Sequence, residues 1–244
     1  MGEGWLTSLS FSMQLYFDFS GYCDMAMGIA LMFNITLPLN FNAPYKAGDF
    51  QDFWRRWHMT LGRFMTQYLY IPLGGNRKGE VRTLINLMIV FLVSGIWHGA
   101  GWTFILWGFL HGAGILIHRI WKNKNRRINK YIGMFITFFF VNIFWIFFRA
   151  TSIDSGIKVI KGMFDNFEIS LTEQYTSQLP SLFQNRYNII ILFLALFLVI
   201  FGKTTYELVE SKKNIYYEKT LLILCFILGV ILINRIVPFL YFNF

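Results

Sequence analysis

From Leu84 to His118 the chain runs for 35 residues without an Asp, Glu, Lys or Arg. As a helix, at about 1.5 Å per residue, that stretch would be roughly 50 Å long. A bilayer core is about 30 Å thick, so one crossing cannot use it. Both flanks are basic, which puts both ends on the same side of a membrane, and the run must therefore go in and come back. Its natural turn is Gly95 to Gly101, where Gly95, Gly99 and Gly101 surround Trp97-His98. Each arm is then about 25 Å, so the turn is expected to stop inside the membrane. Non-helical backbone at that depth survives only against protein or water, and an ionisable group there marks a site. His98 is accordingly expected to line a cavity.

The rest of the chain agrees. It has 244 residues, 55% hydrophobic and only 14% charged, where soluble domains carry about 25% charge. Further uncharged runs cover Met25–Tyr45, Tyr131–Phe148, Tyr187–Gly202 and Thr220–Asn234. The predicted fold class is all-α: a polytopic helical membrane protein forming one membrane domain over residues 1–244. The lipid bilayer is its first partner. The net charge of +9 does not point to nucleic acid, because the basic residues fall between apolar runs. Arg119–Lys130 has six bases and no acid, Lys46–Arg82 seven bases and three acids, and Arg149–Arg186 four of each. The positive-inside rule places the first two in the cytoplasm and the third outside, with Lys203–Lys219 cytoplasmic again and the C-terminus external. Cys23 and Cys225 are read as small core residues.

Gly4–Leu37 exceeds one span and fits either one long tilted helix or two short ones. Pro38–Ala47 is expected to be an extended interfacial loop. A helix then starts at an Asp49 cap with Asp52 in its first turn. Phe50, Phe53, Trp54, Trp57, Leu61, Phe64, Met65 and Tyr68 repeat at helical spacing, opposite Arg55, Arg56, Arg63 and Gln67. That pattern predicts an amphipathic helix lying along the interface, with His58 on the apolar face. Gly74-Gly75-Asn76 is turn chemistry. His111 and His118 share a face of the return arm, and His118 belongs at the basic interface. His111 is mainly a packing residue and secondarily a site candidate.

Two histidines 40 residues apart make no metal motif, since no third ligand stands at ligand spacing. No metal site and no tightly bound cofactor are expected. A single imidazole suffices for general-base work, and a hydrogen-bonded core histidine is the plainer alternative. Four segments add specificity in combination: Leu15-Tyr16-Phe17-Asp18-Phe19-Ser20-Gly21-Tyr22, Phe53-Trp54-Arg55-Arg56-Trp57-His58, Tyr70-Ile71-Pro72-Leu73-Gly74-Gly75-Asn76-Arg77 and Trp97-His98-Gly99. In this order they resemble the membrane-bound O-acyltransferase family, in particular its bacterial branch typified by the alginate O-acetylation protein. The D-alanyl lipoteichoic acid transferase is a more distant relative. The ending Tyr241-Phe242-Asn243-Phe244 resembles the same branch.

The resemblance implies a funnel lined by the helical hairpin, in a multi-pass protein of the bacterial cell membrane. It implies transfer of an acyl group, acetyl in this branch, from a cytoplasmic thioester. The co-substrate would be an acyl-CoA or acyl-carrier thioester. The acceptor would be a hydroxyl of an exported polysaccharide or cell-surface glycan, or an exported acetyltransferase- or esterase-like partner protein. The family's near-invariant histidine matches His98 and its second histidine matches His58, so these are the catalytic candidates. His98 would be the base, and His58, near the cytoplasmic mouth, would help position the donor or the reacting groups. Arg55, Arg56 and Arg77 would attract an anionic donor. Members of this branch are longer, with these motifs in their C-terminal part, so the chain is expected to correspond to that part. An acyl-relay channel without its own chemistry, or an inactive fragment, are the competing readings.

Overall fold

The computed structural model describes residues 2–124, 128–164 and 186–210, with isolated positions at 220, 223, 224 and 227. The Thr220–Asn234 run as a unit, Cys225 and the Tyr241–Phe244 ending lie outside the described residues.

Helix α1 spans Gly2–Met32 without interruption, which decides between one long helix and two short ones. A short 3-10 turn, Pro44–Lys46, precedes α2 (Phe50–Arg56) and α3 (Met59–Met65), and a π-helical turn, Thr66–Tyr70, follows them. The hairpin arms are α4 (Glu80–His98) and α5 (Trp102–Asn123). Then come α6 (Lys130–Arg149), α7 (Ile153–Phe164), α8 (Arg186–Phe201) and α9 (Thr205–Glu210). Among the described residues, α4, α5 and α6 are long and apolar enough to cross a membrane.

The hairpin turns at Gly99–Gly101, inside the window the glycines mark. Its arms are longer than expected. With 19 and 22 residues they measure about 28 and 33 Å, so each can span the core instead of stopping short of it. The uncharged run understates the helices because charge pairs at their open end. Arg119 donates through Nε to Glu80 Oε1 at 2.6 Å and through an amino group to Oε2 at 3.0 Å, and Asn123 also donates to Glu80. Near the turn the two backbones meet at Gly95 and Gly108. A Cβ on Gly95 would collide with the Phe104 carbonyl oxygen, and one on Gly108 with that of Phe91.

The helices α1 and α6 are joined by a buried polar clasp. Ser12 Oγ donates to Asn142 Oδ1 at 2.8 Å, and Asn142 Nδ2 donates to Ser8 Oγ at 3.1 Å. Long-range contacts tie the remaining elements together. Lys46 Nζ donates to the Gly202 carbonyl, Thr205 donates to Asp24 at 2.7 Å, and His118 Nε2 stands 3.5 Å from Asp49. Trp5 donates to the Met163 carbonyl at 3.1 Å, and Phe104 and Phe148 meet beside the hairpin turn.

The Pro38–Ala47 segment is not exposed along its length. It runs without regular structure into the Pro44–Lys46 turn, and Phe41, Ala43, Tyr45 and Ala47 are buried. Phe41 packs edge-on against Trp57 at 5.0 Å and Tyr45 against Tyr16 at 5.4 Å. Aromatic insertion outweighs the exposure that its prolines and asparagines suggest, because the segment's backbone finds partners inside. Asn42 N donates to the Arg56 carbonyl, and Met59 N to the Asn40 carbonyl, each at 3.0 Å.

Candidate functional site

Asp49 caps α2 as its sequence suggests, its carboxylate accepting from Asp52 N at 2.7 Å. The helix then climbs inward along α5. His118 of α5 faces Asp49, Phe50 reaches Gly114, and Trp54 meets His111 and Trp107 at ring distances of 4.9 and 5.8 Å. Trp57, one turn further, packs on Trp145 of α6 at 4.9 Å. From the level of His118 to that of Trp107 is about 16 Å along α5.

The expected continuous helix is in fact broken at Trp57-His58. Trp57 is extended, and His58 is left-handed with φ 44° and ψ 55°. A non-glycine residue pays of order 1 kcal/mol for that conformation and keeps it only where its surroundings impose it. Here Asn40 imposes it. The Asn40 carbonyl accepts Met59 N at 3.0 Å, and its side-chain Oδ1 accepts Thr60 N at 3.1 Å. Asn40 thus caps α3 from a distant segment.

The break has a consequence for position. His58 does not sit at the cytoplasmic mouth: α2 carries it to the depth of Trp145, edge-on to Phe19 at 4.8 Å. There it lies within electrostatic range of His98. Burial pushes the His58 imidazole from its ordinary 6.5 down to about 4, so it is neutral at physiological pH.

His98 is the last residue of α4, where the chain leaves the helix for the glycine turn. Its ring stands edge-on to Trp107 and to Phe148, each at 5.1 Å, and to Trp97 at 4.9 Å. Trp107 and Phe148 are both buried. Two imidazoles from segments 40 residues apart thus come within electrostatic range of each other, each with aromatic rings against it. In such low-dielectric surroundings a proton transfer or a hydrogen bond to a reacting oxygen is stronger than in water.

His111 is fully buried and accepts from Trp54 Nε1 through Nδ1 at 3.3 Å. It lies against Trp107 at 5.0 Å, on the ring that also backs His98, so it belongs to the packing behind His98 as its packing role suggests. Of the three arginines expected to draw an anionic donor, Arg56 is committed to the fold. It donates to Asp52 at 2.7 Å and to the Asn42 carbonyl at 3.4 Å. Arg55 and Arg77 are exposed. Asn40 and Thr60 were not legible as site residues, since nothing local couples them.

A family model described as the membrane-bound O-acyltransferase family matches residues 4–157, a stretch containing both His58 and His98. Among curated relatives, a peptidoglycan O-acetyltransferase of Helicobacter pylori is 55% identical over 190 residues, covering 76% of this chain and 36% of that protein. A probable alginate O-acetylase of Azotobacter vinelandii is 40% identical over 182 residues, 74% of this chain and 36% of the relative. A teichoic acid D-alanyltransferase of Streptococcus thermophilus is 32% identical over 131 residues, 49% of this chain and 31% of the relative. The chain thus spans about a third of the length of these proteins.

Proposed function

The chain belongs to the membrane-bound O-acyltransferase family, and from that premise we propose that it carries the acyl-transfer centre of an enzyme that O-acetylates an exported polysaccharide of the bacterial cell surface. The observation that supports this reading is the approach of His58 and His98, both half-buried against aromatic rings, to within electrostatic range of each other. His98 takes the proton of the acceptor hydroxyl, whose oxygen attacks the carbonyl carbon of an acyl thioester. The carbon–sulfur bond breaks, and His98 returns the proton to the departing thiolate. His58 stays neutral and holds the reacting groups.

The donor is an acyl-CoA or acyl-carrier thioester arriving from the basic, cytoplasmic end, where Arg55 and Arg77 are exposed. The acceptor class follows the relatives, which are named for acyl transfer to cell-wall or exocellular polymers. The higher identity to the peptidoglycan enzyme, 55% against 40% for the alginate one, favours a peptidoglycan hydroxyl. The location is the bacterial plasma membrane.

The test is acetyl transfer in proteoliposomes from a labelled thioester to glycan fragments. His98→Ala is expected to lower the rate by about 10²–10⁴-fold, the usual worth of a general base. Wild-type transfer by that variant would exclude the role given to His98.

A further inference from the structure

The hydrogen bonds around His58 point to one ring nitrogen as the donor. Thr60 N is a backbone amide that can only donate, and it lies 3.1 Å from the Asn40 side-chain oxygen. That contact fixes the Asn40 amide with Oδ1 toward Thr60. The same Oδ1 is 2.6 Å from Thr60 Oγ1. An amide oxygen only accepts, so the Thr60 hydroxyl must donate to it, which commits the one proton Thr60 has. The other end of the Asn40 amide agrees, with Nδ2 directed at Cys23 Sγ at 3.5 Å. Thr60 Oγ1 also faces His58 Nδ1, at 3.5 Å. With its hydrogen spent, that oxygen offers only lone pairs, so a hydrogen bond across this contact requires Nδ1 as the donor; the His58 backbone is a second partner of the same imidazole. The contact is at the outer edge of hydrogen-bond reach, as catalytic contacts often are before substrate binds.

We propose that Asn40 and Thr60 are positioning residues that hold His58 in its Nδ1-protonated neutral tautomer, leaving the lone pair on Nε2. The catalytic use of this tautomer rests on the acyl-transfer reading, while the tautomer itself does not. Its effect on the neighbouring imidazole is direct. His58 and His98 are within electrostatic range, so a cation on His58 would oppose the imidazolium that forms when His98 takes the acceptor's proton. A neutral His58 with an accepting Nε2 adds no such opposition. The left-handed backbone at His58 serves the same arrangement, because it sets Nδ1 toward a residue only two positions on.

The test reads the tautomer directly. In the whole protein, histidine-labelled with nitrogen-15 and held in bilayers, NMR separates Nδ1–H from Nε2–H imidazoles. The His58 signal is identified by its loss in His58→Gln. Wild type and Thr60→Ser are expected to show Nδ1–H. Thr60→Val, which keeps the backbone and shape, is expected to lose it. Asn40→Ala is expected to invert it, because the freed Thr60 hydroxyl can then donate to Nδ1. Nε2–H in the wild type, or Nδ1–H surviving in Thr60→Val, overturns the proposal. In acetyl transfer, Thr60→Val is expected to lower kcat about 10-fold with the donor KM unchanged, and Thr60→Ser to restore it. A shifted tautomer with wild-type kcat removes the catalytic half. The expected tautomer in a protein that transfers no acetyl group refutes the acyl-transfer reading and leaves the tautomer assignment standing.

Discussion

The close approach of the hairpin arms gives a prediction in which one chemical change has opposite signs at two places. A methyl added at Gly95 would lie 3.2 Å from the Phe104 carbonyl carbon and 3.4 Å from the Gly108 Cα, and would collide with the Phe104 oxygen. Gly108 meets the Phe91 carbonyl and the Gly95 Cα in the same way. Carbon atoms pack best at about 3.5–4.0 Å, and every obstacle here is backbone, so no side chain can swing aside. The arms must part by about half an ångström or more. Overpacking of this kind costs about 1–3 kcal/mol, and at a few degrees per kcal/mol for a chain this size, Tm falls by about 2–10 °C. His98 and Trp107 ride on the two arms, so transfer should fall as well, by up to about 10²-fold for a displacement near 1 Å. Gly28 is the control. It lies in α1 with nothing within 4 Å of an added Cβ. Gly28→Ala should gain about 0.5–1 kcal/mol from helix propensity alone and leave transfer unchanged. Thermal unfolding in detergent and acetyl transfer on the same preparations read both quantities. If Gly95→Ala and Gly108→Ala melt and transfer like the wild type, the contact between the arms does not hold His98 in place.

Two further variants test the supports of the site. Asn142→Leu removes the clasp between α1 and α6 and leaves the buried Ser12 hydroxyl without its acceptor. It should cost about 1–3 kcal/mol, part of which returns in the Ser12→Ala, Asn142→Leu double variant. An additive double variant would show that the clasp is not a unit. The His58 imidazole, held at about 4 in the fold against 6.5 in the unfolded chain, makes the unfolded state bind more protons between those values. Stability is therefore complete above pH 6.5 and falls as pH drops toward 4, by up to about 3 kcal/mol. His58→Gln should reduce that slope by the His58 share in denaturation measured at stepped pH, and an unchanged slope would remove His58 as a source of it.

Patterns within single segments were legible in the sequence. The uncharged run and its basic flanks predict the α4–α5 hairpin, and the glycines around Trp97-His98 predict its turn. Asp49 is the cap it looks like, and Gly74 and Gly75 take the positive φ of 107° and 53° that turn chemistry suggests. The reach of the arms was not legible, because Glu80 and Arg119 look like interfacial ends until they are seen to neutralise each other. The break at His58 was not legible either. Trp57-His58-Met59-Thr60 contains no glycine or proline, and the apolar spacing runs straight across it. The signal lies in Asn40, far enough upstream that no window holds both residues. Both histidines were picked out by burial and resemblance, but their meeting depends on α2 rising beside α5, which is a tertiary fact.

That rise also sets an order of events during insertion. Residues 49–56 carry Asp49, Asp52, Arg55 and Arg56, so α2 cannot enter lipid unaided as a spanning helix can. Its seat is made by Gly114, His111 and Trp107 of α5 and by Phe144 and Trp145 of α6, all synthesised later. The segment bearing His58 must therefore wait at the membrane surface until the hairpin and α6 are in place. The site closes from its C-terminal walls inward, and a nascent chain stopped before Phe144 lacks the α6 part of that seat.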